Sequence, residues 1–395
     1  MDDKWLRIAN NLKQDMIDLR RDFHRHPELE FAEHRTAGIV AEHLKRLGMQ
    51  VTTGVAETGV VGLLRGKESG RVVMLRFDMD ALPIQEENEC DYRSQTPGVM
   101  HACGHDGHTA IGITVARMLA ENIRDIHGTV KFIFQPAEEG SKGEKGAPSM
   151  VAEGVLENPK PEVVLGLHLW NYKPLGWIGI TPRPMMAASD VFSIVIQGKG
   201  GHAAAPHENR DTILTACEIV SAIQTITSRN VPSVETAVIG VSMFHGGDAP
   251  NVTPSEVTLK GVIRTFTPEV RNRVLQRLET LVREISSAYE CQGELKIIGS
   301  IPPVVNDPAV ASGIQAVAKS LLPDHNVDGD YVTMISEDYG VYLQNIPGCF
   351  ILFGSSNPAK DLAAPHHNPK FDFDEDALPQ AAALMAAGAE YFINL

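Results

Sequence analysis

Four short runs of almost uninterrupted apolar residues, 60–64, 72–77, 129–134 and 163–167, constrain this chain more than any other feature in it. A strand that is apolar on both faces must be buried on both, so such runs belong in a sheet covered by helices on either side. The flanking segments supply the helices. Residues 6–25 carry apolar side chains at helical spacing (Leu6, Ala9, Leu12, Met16, Leu19, Phe23), and residues 32–47 do the same. Gly48 stops the second of these. Residues 110–122 read as a helix between the second and third strands.

From about Ser189 the pattern changes. Residues 191–197, 236–245, 256–264 and 294–300 read as strands, and 211–228 and 267–289 as helices. Thr267 is placed to cap the second helix, with Pro268 at its first position. The order strand-helix-strand-strand-helix-strand over roughly 110 residues is a split βαβ unit of domain size. After Pro302-Pro303 a helix (309–321) and a strand (349–353) return. A single core stops growing at roughly 250–300 residues, and this chain has 395. The expectation is a larger domain made of 1–187 and 302–395, with 188–301 inserted into it.

A net charge of −15 argues against nucleic-acid binding, which needs a basic surface to displace counterions. No segment approaches the ~20 uninterrupted apolar residues of a membrane span. The charged start, Met1-Asp-Asp-Lys4, lacks the apolar stretch of a secretory signal. Five cysteines, an odd number at scattered positions, argue against a disulfide scaffold and for a reducing, cytoplasmic setting. Cys217 and Cys291 fall in helical patterns and read as small buried hydrophobes.

Five polar clusters do not suit their apolar surroundings. Asp78-Met-Asp80 follows the second strand directly, where a turn with capping aspartates is the plain alternative. His101-Ala-Cys103-Gly-His105-Asp106-Gly-His108 gathers three imidazoles, a thiol and a carboxylate. Thiolate and imidazole together are the usual donors for zinc or a similar ion, although a Cys–His nucleophile would use the same groups. Glu138-Glu139, after the third strand, would repel each other unless one binds a cation or keeps its proton. A metal site resolves that, with Glu139 as ligand and Glu138 as general base on an activated water. His168 ends the fourth apolar run, and His366-His367 lies in a C-terminal loop. Strand ends and loops are where an α/β sheet collects its functional groups.

These segments, with Gly198-Lys-Gly-Gly-His202, occur in an order that resembles the aminoacylase, hippurate hydrolase and auxin-conjugate amidohydrolase family of dinuclear metallohydrolases. The resemblance runs along nearly the whole chain. It implies an α/β fold, a mixed β-sheet flanked by helices on both faces as in zinc exopeptidases, with an inserted α+β ferredoxin-like lid and dimerisation domain. It implies two divalent ions per subunit, zinc or manganese first and cobalt or nickel next, held by Cys103, His105, Glu139, His168 and His367. Cys103 would bridge them, Glu138 would be the general base, and Asp80 would orient a histidine ligand. Of the paired histidines the ligand is placed at His367, with His366 left as its neighbour. In the inserted domain the resemblance implies that His202 stabilises the oxyanion in a partner's site, while Asn251 and Arg264 bind substrate, Arg264 through a bidentate fork to a carboxylate.

The expected reaction is hydrolysis of an N-acyl-L-amino acid to a carboxylic acid and an amino acid, in a homodimer or homotetramer assembled through the inserted domain. A carboxypeptidase-type or N-acetyl-diaminopimelate-type deacetylase is the alternative on the same scaffold. A thiol hydrolase using Cys103 with His105 or His101, and a binding protein with structural metals, are the rivals in kind.

Overall fold

The structure is a computed structural model that describes residues 3–140 and 146–395. The chain divides into two compact units. One comprises the residues up to Met185 with Val305–Tyr331 and Asp338–Leu395; the other comprises Met186–Val304 and Val332–Glu337. Nothing in the hydropathy of Val332–Glu337 signals its membership of the second unit. It is held there by backbone pairing, Ala187 N–H donating to the Ile335 carbonyl and Met186 bridging to Thr333.

In the first unit the N-terminal helical pattern forms two helices, α1 (Lys4–Asn11) and α2 (Lys13–Arg25), with Leu12 between them. Helix α3 (His34–Arg46) ends as expected at Gly48, whose φ of 76° places it in the left-handed region. The Met49 N–H reaches back to the Leu44 carbonyl and the Gly48 N–H to that of Lys45, which satisfies two carbonyls at the helix end. Strands β1 (Gln50–Val55), β2 (Gly59–Arg65) and β3 (Glu68–Asp78) follow, then α4 (His105–Glu121), β4 (His127–Gln135), α5 (Gly146–Ala152), β5 (Val163–Pro174) and β6 (Trp177–Gly179).

The eight-stranded sheet runs β1-β2-β4-β3-β5, then Gly348–Ser356, β6 and Asn326–Asp328. Its four central strands are parallel, so β4, β3 and β5 end on the same edge. The register aligns Asp78 with Gln135 and Arg76 with Gly166, which brings the end of β3 level with the QPAEE segment and His168. The flanking helices bury α4 almost completely, and the C-terminal helix Ala377–Ile393 with it.

The second unit is a four-stranded antiparallel sheet in the order Ala237–His245, Glu256–Thr265, Ala188–Gln197, Gln292–Ile301. Helices Thr212–Arg229 and Pro268–Ala288 supply the apolar residues of its own core, among them Ile219, Ile223, Val274 and Leu278. Thr267 caps the second helix through the Val270 N–H, with Pro268 at the first helical turn. This is the ferredoxin-like α+β arrangement.

All five cysteines are free. Cys217 is exposed rather than buried, because it lies on the outer side of its helix, and Cys291 sits just past a helix end rather than within one. Among the described residues no helix is long and apolar enough to cross a membrane.

Candidate metal centre

The helix after the cysteine motif begins at His105, five residues earlier than the hydropathy pattern suggested. Gly104, with φ at 94°, makes the turn into it, a conformation that a side chain would strain. His105 and His108 therefore stand on the first turn of α4, and Cys103 is the last residue but one before it.

Asp80 organises one side of the cluster. Its Oδ1 lies 3.2 Å from His105 Nδ1, and its backbone carbonyl lies 2.9 Å from the same nitrogen. Its Oδ2 accepts the Glu139 N–H at 2.8 Å. A carbonyl only accepts, so Nδ1 of His105 carries the proton and Nε2 offers a lone pair. That Nε2 is buried without a hydrogen-bond partner, as an atom reserved for a cation would be. His168 is arranged alike: Nδ1–H donates to the Leu169 carbonyl at 2.6 Å, leaving Nε2 3.4 Å from Cys103 Sγ. The strand continues past His168 to Pro174, so this residue is inside β5 rather than at its end.

Two sets of donors converge on one sulfur. Cys103, His105 and His168 offer ligand atoms within 4.8 Å of one another, and so do Cys103, Glu139 and His367. His105, Glu138 and Glu139 form a third such group. His367 Nε2 stands 2.9 Å from Glu139 Oε1, and its backbone, at φ 64°, is tied by its N–H to the Ala102 carbonyl. A non-glycine residue in that region costs conformational energy and persists where its surroundings demand it. Glu138 is buried, its Oε1 accepting the Asp338 N–H at 3.3 Å.

Asp78, His105 and His108 also lie close together. His108 is already committed: Nδ1–H donates to Asp78 Oδ1 at 2.6 Å and Nε2 accepts the Leu169 N–H at 2.9 Å. Asp78 is in turn paired with Arg76, which also reaches Asp338 and Gln135.

The electrostatics favour a bound cation. Burial, together with the charge on Glu139, pushes the Cys103 thiol well above its ordinary value. Burial and the neighbouring His108 and His366 rings hold His168 well below the usual histidine range, so it is neutral and available. Burial opposes a proton on His105, but Asp78 and Cys103 outweigh it and raise that group. A thiol that resists ionisation, next to paired carboxylates and the neutral His168 imidazole, becomes a good thiolate donor once divalent charge is present. The donor set fits two such ions.

Of the residues expected in the second unit, His202 is exposed on the short strand Gly201–His202, paired with Val252–Thr253. Its Nδ1 accepts the Ala204 N–H at 3.0 Å, so the neutral ring carries its proton on Nε2. The Asn251 carbonyl accepts the Ala203 N–H, which puts Asn251 in the adjoining loop. Arg264 is half-buried in the central strand Glu256–Thr265 and donates to Ser336 Oγ.

The model of peptidase family M20/M25/M40 matches residues 74–391, which includes every candidate ligand. The chain belongs to this family. As an M20-family amidohydrolase it is similar to the N-acyl-L-amino acid amidohydrolase of Geobacillus stearothermophilus, 43% identical over 79% of this chain and 85% of the relative. It is 37% identical to IAA-amino acid hydrolase ILR1-like 4 of Arabidopsis thaliana, over 99% of this chain and 89% of that one. The crystal structure of Bacillus subtilis YXEP, described as a dinuclear metal binding peptidase from the M20 family, superposes with a TM-score of 0.84 at 32% identity, over 98% of this chain and 99% of the other.

Sequence reasoning did not find Glu33. It is fully buried, its Oε1 accepting the Ala137 N–H at 2.9 Å and its Oε2 the Thr58 hydroxyl at 2.5 Å. Ala137 has φ at 51°, so Glu33 braces the strained turn that presents Glu138 and Glu139. A glutamate ahead of an amphipathic helix carries no signal for a contact 104 residues away.

Proposed function

We propose that this amidohydrolase cleaves the amide bond of N-acyl-L-amino acids, giving a carboxylic acid and a free amino acid. The observation that carries the reading is Cys103, the member common to two donor triads, with the buried carboxylate of Glu138 beside them. Two divalent cations, zinc or manganese first and cobalt or nickel next, supply Lewis acidity to the scissile carbonyl when bound by Cys103, His105, Glu139, His168 and His367.

Glu138 takes a proton from the attacking water and returns it to the leaving nitrogen as the C–N bond breaks. Asp80 fixes His105 and the Glu139 backbone, which holds the geometry between the two steps. His202 donates Nε2–H to the developing oxyanion from a partner subunit. Arg264 and Asn251 receive the substrate carboxylate. The second unit serves as lid and as the surface of a homodimer or homotetramer in the cytoplasm. The N-acyl-amino-acid relative supports the substrate class.

A panel of N-acyl amino acids assayed with metal-stripped enzyme, reloaded with one metal at a time, tests this reading. Turnover that depends on added metal is the expected result. Turnover unaffected by chelation would favour a Cys103 thiol hydrolase instead, and no turnover of any acyl amino acid would remove the substrate assignment.

A further inference from the structure

His366 is half-buried beside the candidate ligands, and its hydrogen bonds give it a different task from His367. The Asn171 backbone N–H donates to His366 Nε2 at 3.1 Å. A backbone N–H cannot accept, so Nε2 must hold a lone pair, and the proton of the ring is on Nδ1. That Nδ1 faces Cys103 Sγ at 3.8 Å, within reach of the large sulfur atom. The ring has little freedom to turn over. Trp170 and Phe371 lie against it with centroids at 5.2 and 5.0 Å and interplanar angles of 35° and 34°, and the His168 ring meets it edge-on at 5.1 Å.

We propose that His366 is a positioning residue that donates its Nδ1–H to the Cys103 sulfur and is not itself a metal ligand. The inference rests on the reading of Cys103 as a ligand. A hydrogen bond to a thiolate lowers the energy of the sulfur lone pairs. It restrains the thiolate's donation to the cations and favours the ionised form that they need. The adjacent histidines thus divide the work: His367 faces Glu139, and His366 faces the sulfur.

Cobalt(II) substitution reads this directly, because a thiolate bound to cobalt gives a sulfur-to-metal charge-transfer band in the near ultraviolet. The wild-type protein is compared with His366→Phe, which removes the donor, and His366→Asn, whose amide N–H replaces Nδ1–H in nearly the same place. The expected outcome is an unchanged cobalt stoichiometry in all three. The band moves to longer wavelength in the Phe variant and returns toward the wild-type position in the Asn variant. Cobalt affinity falls about tenfold in the Phe variant, the lower end of what loss of a ligand's supporting hydrogen bond costs. A band present in the wild type and unmoved in the Phe variant would overturn the inference alone. So would loss of one cobalt per chain in both variants, which would make His366 a ligand. Absence of any such band in the wild type would instead remove Cys103 from the ligand set, and the inference with it.

Discussion

Asp78 and His108 share a buried hydrogen bond of 2.6 Å, and through it the end of β3 fixes the backbone of β5. Because His108 Nδ1–H donates to Asp78, Nε2 is left to accept the N–H of Leu169, the residue next to His168. Replacing His108 by Leu strands that N–H and one carboxylate oxygen. The expected cost is about 1–3 kcal/mol of stability, with metal affinity lowered by about 10–100-fold. Urea denaturation and metal titration measure the two separately, and unchanged metal affinity would show that His168 does not depend on this link.

Glu138→Gln keeps the size of the side chain and its ability to accept the Asp338 N–H. It cannot take a proton. We expect full metal content, little change in KM, and kcat reduced by about 10²–10⁴-fold, the usual contribution of a general base. A variant with wild-type kcat would transfer that role to another group.

Glu33 should give the protein a pH dependence of its own. Burial, and then the charge on Asp80, hold its carboxyl up at about 7, against 4.5 in an unfolded chain. The native state therefore binds this proton more tightly than the unfolded state does. Stability from this group is fully present below about pH 4.5, falls as the pH rises toward 7, and is then level, a loss of about 3 kcal/mol in all. In Glu33→Gln that slope should vanish, so the variant gains on the wild type across the window. Denaturation curves of metal-stripped protein at several pH values test it, since a bound cation would favour the carboxylate. Parallel stability profiles would refute the shift.

Arg20 is buried among three carboxylates. It donates to Asp106 at 2.8 Å, Asp372 at 2.6 Å and Glu375 at 3.2 Å, and lies over the rings of Tyr92 and Phe373. His24 adds a second contact to Asp106 at 2.7 Å. Burial works against charge on Asp106, but Arg20 and His24 hold its carboxyl far below the usual range. Arg20→Leu leaves buried charges without their main partner and should cost about 3–5 kcal/mol. Arg20→Lys should recover only part of this, as an ammonium cannot reproduce the three-way fork. A melting temperature within a degree or so of the wild type for Arg20→Leu would contradict this.

The apolar strands and the candidate donors beside them are legible for one physical reason: polar, metal-ligating side chains stand out against runs that are otherwise fully apolar. Glu138-Glu139 and His168 stood out against Phe132-Ile-Phe134 and Val163-Val-Leu165. The start of α4 was hidden because the helix is buried on nearly every side, so it shows no polar face and no period to read. Gly107 and Gly112 belong to it because Leu169, Phe373, Phe77 and Phe134 leave no room for a Cβ, a tertiary demand that looks like helix-breaking in sequence. The alanine-rich helix Ala377–Ile393 escaped notice in the same way. Edge strand β1 is polar on most positions and reads as loop. Glu33 and the partition of His366 from His367 depend on contacts between distant segments, and no local pattern records them.

The strand Gly348–Ser356 lies between β5 and β6, although the whole of Met186–Val304 separates it from them along the chain. As the chain emerges during synthesis, the second unit is complete before the first has received that strand or His367. The second unit has an apolar core of its own, while the proposed donors Cys103, His105, Glu139 and His168 precede in the chain both that strand and His367. A product cut short before residue 348 would carry four of the five proposed donors on a sheet that lacks the strand between β5 and β6.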